Sequence, residues 1–365
     1  MNLGVPKERR PYEYRVGLPP VGVGLFVRHN HTVYVEREAG SAAGFSDEDY
    51  ARAGAKVVYS EEEVLGRADL VLKFARPLQE ELLLMREDQV VAGFLHLAAA
   101  RQDKFELLRK NKITAIAYEQ VVEDDGRRPI LAPLSQIGGR MVAQVAARLM
   151  QIDHGGRGIL LGGVAGVPPA EVVIIGAGVV GETAATTFAA LGAHVTVLDV
   201  NMRRLDALQR HLQYRLATML STEYNLSRAS SYADVLVGAV LVPDGRAPIV
   251  VTREMVAGMK PRSVIIDMSI DQGGCVETSR PTNHGSPTYI EEGVIHYCVP
   301  NMSSVLGRTA SNALFYGAYP YLEAIAELGV EGAIAQLAAL ERGVSTLKGQ
   351  IMHLQRADET ARGAP

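Results

Sequence analysis

The chain has 365 residues, of which 47% are apolar and 21% are charged. These values are ordinary for a folded protein and exclude a globally disordered one. At roughly 150 residues per domain, the length predicts two domains. The 37 basic and 41 acidic residues give a net charge of −4, a balance that argues against a nucleic-acid or membrane-surface partner.

Cysteine content and apolar runs narrow the class further. Cys275 and Cys298 are the two cysteines; their apolar neighbours indicate buried thiols, and no Cys/His spacing predicts a metal site. The N-terminal stretch is charged and lacks an apolar core, so it does not resemble a signal peptide. No uninterrupted apolar run reaches the roughly 18 residues of a membrane helix. These features predict a cytoplasmic protein.

In the first third of the chain, short apolar runs alternate with amphipathic stretches. This alternation predicts a parallel α/β sheet. The predicted strands are 3–5, 32–36, 56–59, 70–73, 90–94 and 114–117, and the predicted helices are 47–53, 61–67, 79–85 and 101–110. A polar, turn-rich segment at 123–129 indicates a domain boundary, and a longer helix is predicted at 135–150.

A second α/β pattern starts at Glu171. Strands are predicted at 172–175, 194–198, 235–241, 263–268 and 295–299, with a helix at 179–191. Beyond Val305 the pattern is mostly helical to about Gln355. Pattern alone therefore predicts two α/β domains in tandem.

A glycine motif opens the second domain. Gly176-x-Gly178-x-x-Gly181 follows an apolar strand, and the next strand ends at Asp199. The first glycine permits a tight turn, the second permits approach to a pyrophosphate, and the third permits close packing of helix on strand. A bare structural turn explains the glycines alone, but not the whole strand–helix–strand–acid pattern. The motif predicts dinucleotide binding, and Asp199 favours NAD over NADP, a preference that Arg203 and Arg204 would soften.

Polar residues follow or end several predicted strands, where α/β proteins bind ligands. They are Lys73, His96, Asp271 and Asn301, and Arg15 lies a little after the first strand. Each has an ordinary alternative, such as a core histidine, a solvated cation or a loop cap. As a set they fit proton-coupled hydride transfer on a small carboxylate, with cations holding the substrate and His96 and an aspartate moving protons.

The same positions carry a resemblance to the alanine dehydrogenase and pyridine nucleotide transhydrogenase N-terminal-domain family. It extends over about the first 300 residues. The matching stretches are GVPKE (4–8), EYRV (13–16), LVLKFARP (70–77), FLHLAA (94–99), the glycine-rich run 155–181, VTVLDVN (195–201), VGAVLVP (237–243), DMSIDQGGC (267–275) and HYCVPNM (296–302).

The resemblance implies NAD-dependent, reversible oxidative deamination of L-alanine to pyruvate and ammonium. It implies that Arg15 and Lys73 bind the substrate, while His96 and Asp271 are catalytic. We place Asn301 with the substrate-binding residues because it follows a strand. The implied cofactor contacts, together with the glycine motif, are Ser135, Gly176, Gly178, Val179, Gly181, Asp199, Arg204, Ser221, Val240, Leu241, Met268, Ser269, Ile270, Asp271, Arg280, Val299, Pro300, Asn301 and Met302.

The resemblance also revises the domain organisation. It implies a substrate domain made of residues 1–128 and 307–365, and an inserted Rossmann NAD-binding domain of residues 129–306. Both would be doubly wound parallel sheets joined by long helices, and the family forms hexamers. The chain departs from the family pattern at four positions: Ser303 and Gly307 replace prolines, Pro19 replaces threonine, and Phe94 replaces tyrosine.

Three alternatives remain open. The first is the soluble nucleotide-binding subunit of a transhydrogenase, although the combination of His96 with the IDQGGC stretch favours an enzyme that processes a substrate. The second is a dehydrogenase of another small amino or oxo acid. The third is a non-catalytic NAD-binding protein, which accounts for Asp199 but not for Arg15, Lys73, His96 and Asp271 together.

Overall fold

The computed structural model describes residues 1–97, 102–213, 215–242 and 245–353. The strands are β1 Asn2–Val5, β2 Thr32–Glu36, β3 Lys56–Val58, β4 Leu70–Ala75, β5 Val90–Phe94, β6 Thr114–Ala117, β7 Glu171–Ile175, β8 His194–Asp199, β9 Ala217–Leu220, β10 Val235–Gly238, β11 Val264–Asp267, β12 Thr288–Glu291, β13 Val294–Tyr297, β14 Val344–Leu347 and β15 Gln350–Ile351. The helices are α1 Pro20–Arg28, α2 Asp47–Arg52, α3 Glu61–Arg67, α4 Gln79–Leu84, α5 Gln102–Lys110, α6 Ala132–Leu149, α7 Val179–Ala190, α8 Met202–His211, α9 Glu223–Tyr232, α10 Arg253–Ala257, α11 Gly307–Gln336 and α12 Ala338–Gly343.

Backbone contacts divide the chain into two units. Unit 1 comprises Met1–Leu134 and the chain from Ser303 onward, and unit 2 comprises Ser135–Met302. The boundaries implied by the resemblance, 128/129 and 306/307, lie a few residues from these. The N-terminal and C-terminal parts of the chain therefore share one unit.

Unit 1 contains an eight-stranded sheet in the order β15-β14-β6-β5-β4-β1-β2-β3. The strands from β1 to β6 pair in parallel. Their apolar runs are buried because helices cover the faces of the sheet, and one cluster packs Val71, Val91 and Ala115 against α3 and α5 side chains such as Leu65 and Leu108. Since strands β1 to β6 are parallel, their carboxyl ends lie along the same side of the sheet. We call this row of strand ends the unit 1 edge, which is distinct from the outermost strands.

Unit 2 contains a seven-stranded sheet in the order β12-β13-β11-β10-β7-β8-β9. All of its pairs are parallel except β12 with β13. The strand order changes direction at β7, so the loops after β7 and β10 flank a point where ligands bind in doubly wound sheets. Among its core residues are Val173, Leu236 and Ile265, all essentially inaccessible to solvent.

The helix starts follow from local sequence. Ser46 accepts a hydrogen bond from the Asp49 amide while the Asp49 carboxylate accepts one from the Ser46 amide, a reciprocal cap that starts α2. Ser60 caps α3 through the Glu63 amide, and Thr222 caps α9 through the Asn225 amide. These caps satisfy amides that have no partner within the helix.

Most predicted elements are confirmed within one or two residues, but the prediction of helix to Gln355 is wrong. Residues Val344–Leu347 and Gln350–Ile351 are strands, and β14 pairs antiparallel with β6. The segment is β-branched, and the exposed edge of β6 supplies its hydrogen-bonding partner, an effect that a local pattern does not contain. Each sheet is accordingly parallel except at one edge, where β14 and β15 in unit 1 and β12 in unit 2 are antiparallel to their neighbours.

Several elements lay outside the predictions, among them α1, α8, α9, α10, β9 and β12. Helix α1 begins at Pro20, and proline is favourable in a first helical turn. Strand β10 ends at Gly238, three residues before its predicted end, so Val240 and Leu241 lie in the following loop. None of the described helices is long and apolar enough to cross a membrane.

Candidate active site

Lys73 lies at an irregularity of the unit 1 sheet. Leu72 pairs with Ala92 and Ala75 pairs with Phe94, so two residues of β4 oppose one of β5. This bulge frees the amides of Phe74 and Ala75, and both donate to the Glu8 carboxylate, at 2.7 and 3.3 Å. The same carboxylate lies 3.3 Å from Lys73 Nζ. A buried acid thus fixes the bulge and meets the lysine.

The Lys73 ammonium is 2% exposed and is held between two acids. Nζ donates to Glu81 Oε1 at 2.5 Å, and the other Glu81 oxygen accepts the Leu78 amide at 2.5 Å. Burial lowers the pKa of Lys73, but the adjacent Glu8 and Glu81 outweigh it, so the pKa is raised above its ordinary value. Lys73 is therefore a stable buried cation.

The acids around Lys73 also have shifted pKa values. Burial, together with Glu13 and Glu81, raises the pKa of Glu8 in spite of the opposing effect of Lys73. Burial also raises the pKa of Glu61 to about 7, opposed by Arg9 and reinforced by Glu81. Arg9 Nη1 lies 3.3 Å from Glu61, while Arg9 Nη2 pairs with Glu36 at 2.7 Å. The unit 1 edge therefore carries a network of buried acids and cations.

Arg15 is 4% exposed and is fixed on three sides. Its Nε and Nη2 donate to the two oxygens of Glu13, each at 2.6 Å. The guanidinium carbon lies 3.9 Å from the centroid of the Phe74 ring, and Nη1 donates to Ser303 Oγ at 3.1 Å. Because Phe74 directly follows Lys73, the structure brings both predicted substrate-binding cations to one region of unit 1.

His96 differs from both cations because its side chain is 56% exposed. It lies two residues beyond β5 with a φ of +45°, a conformation that costs a non-glycine residue free energy. Its amide donates to Glu119 Oε1 at 2.6 Å, and Nδ1 lies 3.8 Å from the same oxygen. Glu119 follows β6, the strand next to β5, so the sheet order brings the two residues together. An accessible imidazole beside a carboxylate can exchange protons with a bound substrate.

The glycine motif forms a loop from Gly176 to Gly181, which we call the glycine loop. Gly176 has a φ of +107°, and a Cβ there would lie 2.3 Å from the Ala239 carbonyl oxygen. A Cβ on Gly181 would lie 1.8 Å from the Gly176 oxygen, whereas one on Gly178 would meet no described atom within 4 Å. Helix and strand thus require the outer glycines for packing, and Gly178 leaves open space.

That space fits a phosphate group. Gly178 is the N-cap of α7 and contributes no side-chain acceptor. The helix begins with Val179, which is 41% exposed, and the positive end of the helix favours an anion at this point. A dinucleotide pyrophosphate suits both the room above Gly178 and the amides of the first helical turn.

Asp199 ends β8 beside the glycine loop and is 6% exposed. Its Oδ2 accepts the Ala177 amide at 2.6 Å, and its Oδ1 accepts the Asn201 amide at 2.7 Å. Each carboxylate oxygen keeps further acceptor capacity, which suits ribose hydroxyls. Arg204 lies in the first turn of α8 and is exposed, and the Ser221 amide donates to the Asp199 carbonyl oxygen at 3.0 Å.

A second loop of unit 2 follows β11. The buried Asp267 accepts the amides of Ser269 and Cys275, at 3.0 and 2.9 Å, and Ser269 Oγ accepts the Val240 amide at 3.0 Å. These contacts fix the run from Met268 to Asp271 against the loop after β10. Ile270 is buried, and Leu241 is 59% exposed.

Asp271 and Asn301 are brought together within unit 2. The Asn301 amide donates to both oxygens of the Asp271 carboxylate, at 3.2 and 3.3 Å. Asn301 has a φ of +51°, so here too a backbone in the left-handed region presents its amide to an acid. The flanking Val299 and Met302 are buried and Pro300 is partly exposed.

The remaining predicted contacts lie elsewhere in unit 2. Ser135 is a partly exposed residue of α6, and the Arg280 guanidinium lies 4.0 Å from the centroid of the Tyr289 ring. Cys275 and Cys298 are both buried free thiols, as predicted. Burial raises the pKa of each, so neither is a reactive thiolate.

Sequence reasoning missed the acids that surround the predicted cations: Glu8, Glu13, Glu81 and Glu119. Glu8 and Glu13 lie inside two of the stretches that carry the resemblance, which was the available signal. Glu81 and Glu119 lie on a helix and in a turn, and no local pattern distinguishes them from solvated acids.

Comparison with known proteins finds family matches over most of the chain. The family model described as "Alanine dehydrogenase/PNT, N-terminal domain" matches residues 4–138, and that described as "Alanine dehydrogenase/PNT, C-terminal domain" matches residues 142–354. The chain belongs to the alanine dehydrogenase/PNT family. Membership of this family, together with the glycine loop, implies a nicotinamide cofactor.

Relatives within the alanine dehydrogenase/PNT family match nearly end to end. An alanine dehydrogenase of Methanococcus maripaludis is 44% identical over 97% of this chain and 95% of its own length. One of Mycolicibacterium smegmatis is 43% identical over 96% and 95%. A solved L-alanine dehydrogenase has a TM-score of 0.93 at 44% identity and covers 97% of both chains. A transhydrogenase from Sinorhizobium meliloti, at 22% identity, a TM-score of 0.81 and coverage of 97% and 99%, shares the fold.

Proposed function

We propose that the protein is an NAD-dependent L-alanine dehydrogenase. It converts L-alanine, NAD⁺ and water into pyruvate, ammonium, NADH and a proton, and it catalyses the reverse reaction. The observation that carries this proposal is the 44% identity to a solved L-alanine dehydrogenase over 97% of both chains. The likeness includes both domains, so the proposal rests on the whole protein.

Arg15 and Lys73 bind the substrate carboxylate and its carbonyl oxygen. Burial supports these roles, since a cation removed from water attracts an anion more strongly than a solvated cation does. The partner acids hold each cation in one position before substrate arrives, which reduces the entropy lost on binding. Lys73 also polarises the carbonyl carbon, so it contributes to the chemical step as well as to binding.

His96 is the acid/base catalyst and Asp271 the second catalytic residue. The exposure of the imidazole supports this role, since a proton carrier must reach the reacting atoms. In the direction of deamination, His96 accepts a proton from the attacking water as the carbinolamine forms. Asp271 acts on the departing ammonia, and Asn301 is its neighbour at the substrate. The nicotinamide, when bound, accepts or supplies the hydride.

NAD is the proposed cofactor, held by the glycine loop and by Asp199. The Asp199 carboxylate accepts hydrogen bonds from the ribose hydroxyls and repels a 2′-phosphate. Further contacts come from Ser135, Arg204, Ser221, Arg280 and the loops at 240–241, 268–271 and 299–302. Steady-state turnover with NADH and with NADPH tests the preference; equal kcat/KM for the two would remove this role from Asp199.

The decisive experiment is NADH formation at alkaline pH with a panel of L-amino acids and NAD⁺. We expect L-alanine to give the largest kcat/KM. A larger value for another small amino acid would reassign the substrate, and no oxidation of any would overturn the proposal in favour of a nucleotide-binding role. We further propose a cytoplasmic hexamer, and light scattering after size-exclusion chromatography tests the oligomer.

A further inference from the structure

Ser303 is a buried neighbour of Arg15 in unit 1. It follows Met302 and is the first residue of the segment that returns the chain to unit 1. The side chain is 8% exposed, and Oγ accepts a hydrogen bond from Arg15 Nη1 at 3.1 Å.

The hydroxyl complements the other contacts of Arg15. Glu13 accepts hydrogen bonds from Nε and Nη2, whereas the hydrogen bond to Ser303 comes from Nη1, on the other side of the guanidinium. Phe74 packs against its face. The Ser303 hydroxyl therefore adds a contact at Nη1 that helps to orient the planar group. Since the hydroxyl is neutral, it orients the guanidinium without cancelling its charge, as a second carboxylate would.

We infer that Ser303 is a positioning residue for Arg15 and that binding of the substrate carboxylate depends on its hydroxyl. This inference rests on the proposed function, because it takes Arg15 as the carboxylate-binding cation. If Ser303 had only a structural role, its replacement would lower the stability of the protein and leave the affinity for the substrate unchanged.

The test is the KM for pyruvate and kcat of Ser303→Ala, Ser303→Thr and Ser303→Pro in the reductive direction. We expect Ser303→Ala and Ser303→Pro to raise KM about tenfold, the order of one hydrogen bond to a charged group, while kcat stays within about twofold. Loss of binding made equally in ground and transition states has this signature. Ser303→Thr keeps the hydroxyl and is expected to restore most of the affinity.

A matched control is Ser230→Ala. Ser230 is 1% exposed, and its Oγ has no hydrogen-bond partner among the described residues, so its removal should leave KM unchanged. Coupling is measured by adding Ser303→Ala to Arg15→Lys. If the serine acts through the guanidinium, the second substitution adds little to the KM of the first, whereas fully additive effects overturn the inference.

The outcomes separate this inference from the proposed function. A wild-type protein that does not reduce pyruvate with ammonium and NADH contradicts the proposed function. An active wild type whose KM for pyruvate is unchanged in Ser303→Ala contradicts the role of Ser303 alone. A fall in kcat at constant KM also contradicts it, since that result places the serine in the chemical step.

Discussion

The unit 1 edge and the glycine loop of unit 2 are built on opposite principles. In unit 1 the candidate ligands are charged side chains, and Lys73 and Arg15 are buried against acids before any substrate is present. In unit 2 the candidate ligands are backbone amides at the start of α7, and the glycines provide space instead of charge. A small carboxylate needs fixed charges, whereas a pyrophosphate can be held by a helix terminus.

The comparison shows why the two regions differ in sensitivity to substitution. A charge network depends on every member, because removing one leaves another buried and unpaired. A binding site formed by backbone amides depends instead on glycines, because they have no Cβ to occupy the space of the ligand. Side chains in unit 1 and glycines in unit 2 are therefore the residues to change.

The largest expected effect comes from the exposed member of the unit 1 edge. His96→Ala should lower kcat about a thousandfold, within the range for loss of an acid/base group, while the NADH dissociation constant stays nearly unchanged. Stopped-flow turnover and NADH fluorescence titration measure the two quantities. The control is His194→Ala, a histidine of unit 2 that is 61% exposed and paired with Glu171. Near-normal turnover of His96→Ala would remove His96 from the mechanism.

Next in size is the cost of breaking the charge network. Lys73→Met leaves Glu8 and Glu81 without their cation and should lower the free energy of unfolding by about 3 kcal/mol near neutral pH. Loss of the lysine raises the pKa of Glu8 further, since Lys73 is the main group lowering it.

The loss of unfolding free energy in Lys73→Met should therefore become smaller as the pH falls and Glu8 becomes protonated. Denaturant unfolding at several pH values gives the measurement. Lys112→Met is the control, because Lys112 is 55% exposed in its pair with Glu87. Equal losses of stability in the two variants would show that the buried pairs contribute no more than a surface pair.

A smaller effect is expected at the glycine loop. Gly178→Ala should leave the unfolding transition nearly unchanged, since the new Cβ meets no described atom within 4 Å, but it should weaken NADH binding about tenfold by blocking the pyrophosphate. Gly66→Ala on α3 is the control, because its Cβ also lies in open space. Unchanged NADH affinity in Gly178→Ala would mean that the pyrophosphate does not lie at Gly178.

The smallest expected effect is a pH dependence at Glu61. Its pKa in the folded protein is raised to about 7, so its contribution to stability is present below the unfolded-state pKa near 4.5 and is lost as the pH rises through 7. Glu61→Gln should remove this part of the decline in unfolding free energy between pH 5 and pH 8. If the plots of unfolding free energy against pH were parallel for the wild type and the variant, Glu61 would not contribute to the pH dependence.

Much of the fold follows from short-range pattern. Alternating apolar runs located the central strands of both sheets, because a buried parallel strand must be apolar along its length. The same reasoning failed for β14, whose pairing partner β6 lies more than two hundred residues earlier in the chain. It also missed α1.

The candidate site divides in the same way. The glycine loop and Asp199 form a local motif, so spacing alone predicted them. Lys73, His96 and Asp271, with Arg15 nearby, were identified because α/β sheets bind ligands beyond the carboxyl ends of their strands, and their roles are proposals. Glu81 and Glu119 had no local signal, since each meets its partner only after the chain folds. Ser303 was noted as a departure from the family pattern, but its contact with Arg15 was not predicted.

The sequence by itself determined the two α/β patterns, the dinucleotide motif and the excess of glycine, which is 36 of 365 residues. Each of these features depends on residues that are close in sequence, because backbone geometry and helix or strand periodicity are local properties. The tertiary structure alone decided which acid meets which cation and which strand completes the first sheet. The pair of Glu8 with Lys73 and the pairing of β14 with β6 join distant parts of the chain, so no short segment contains the information.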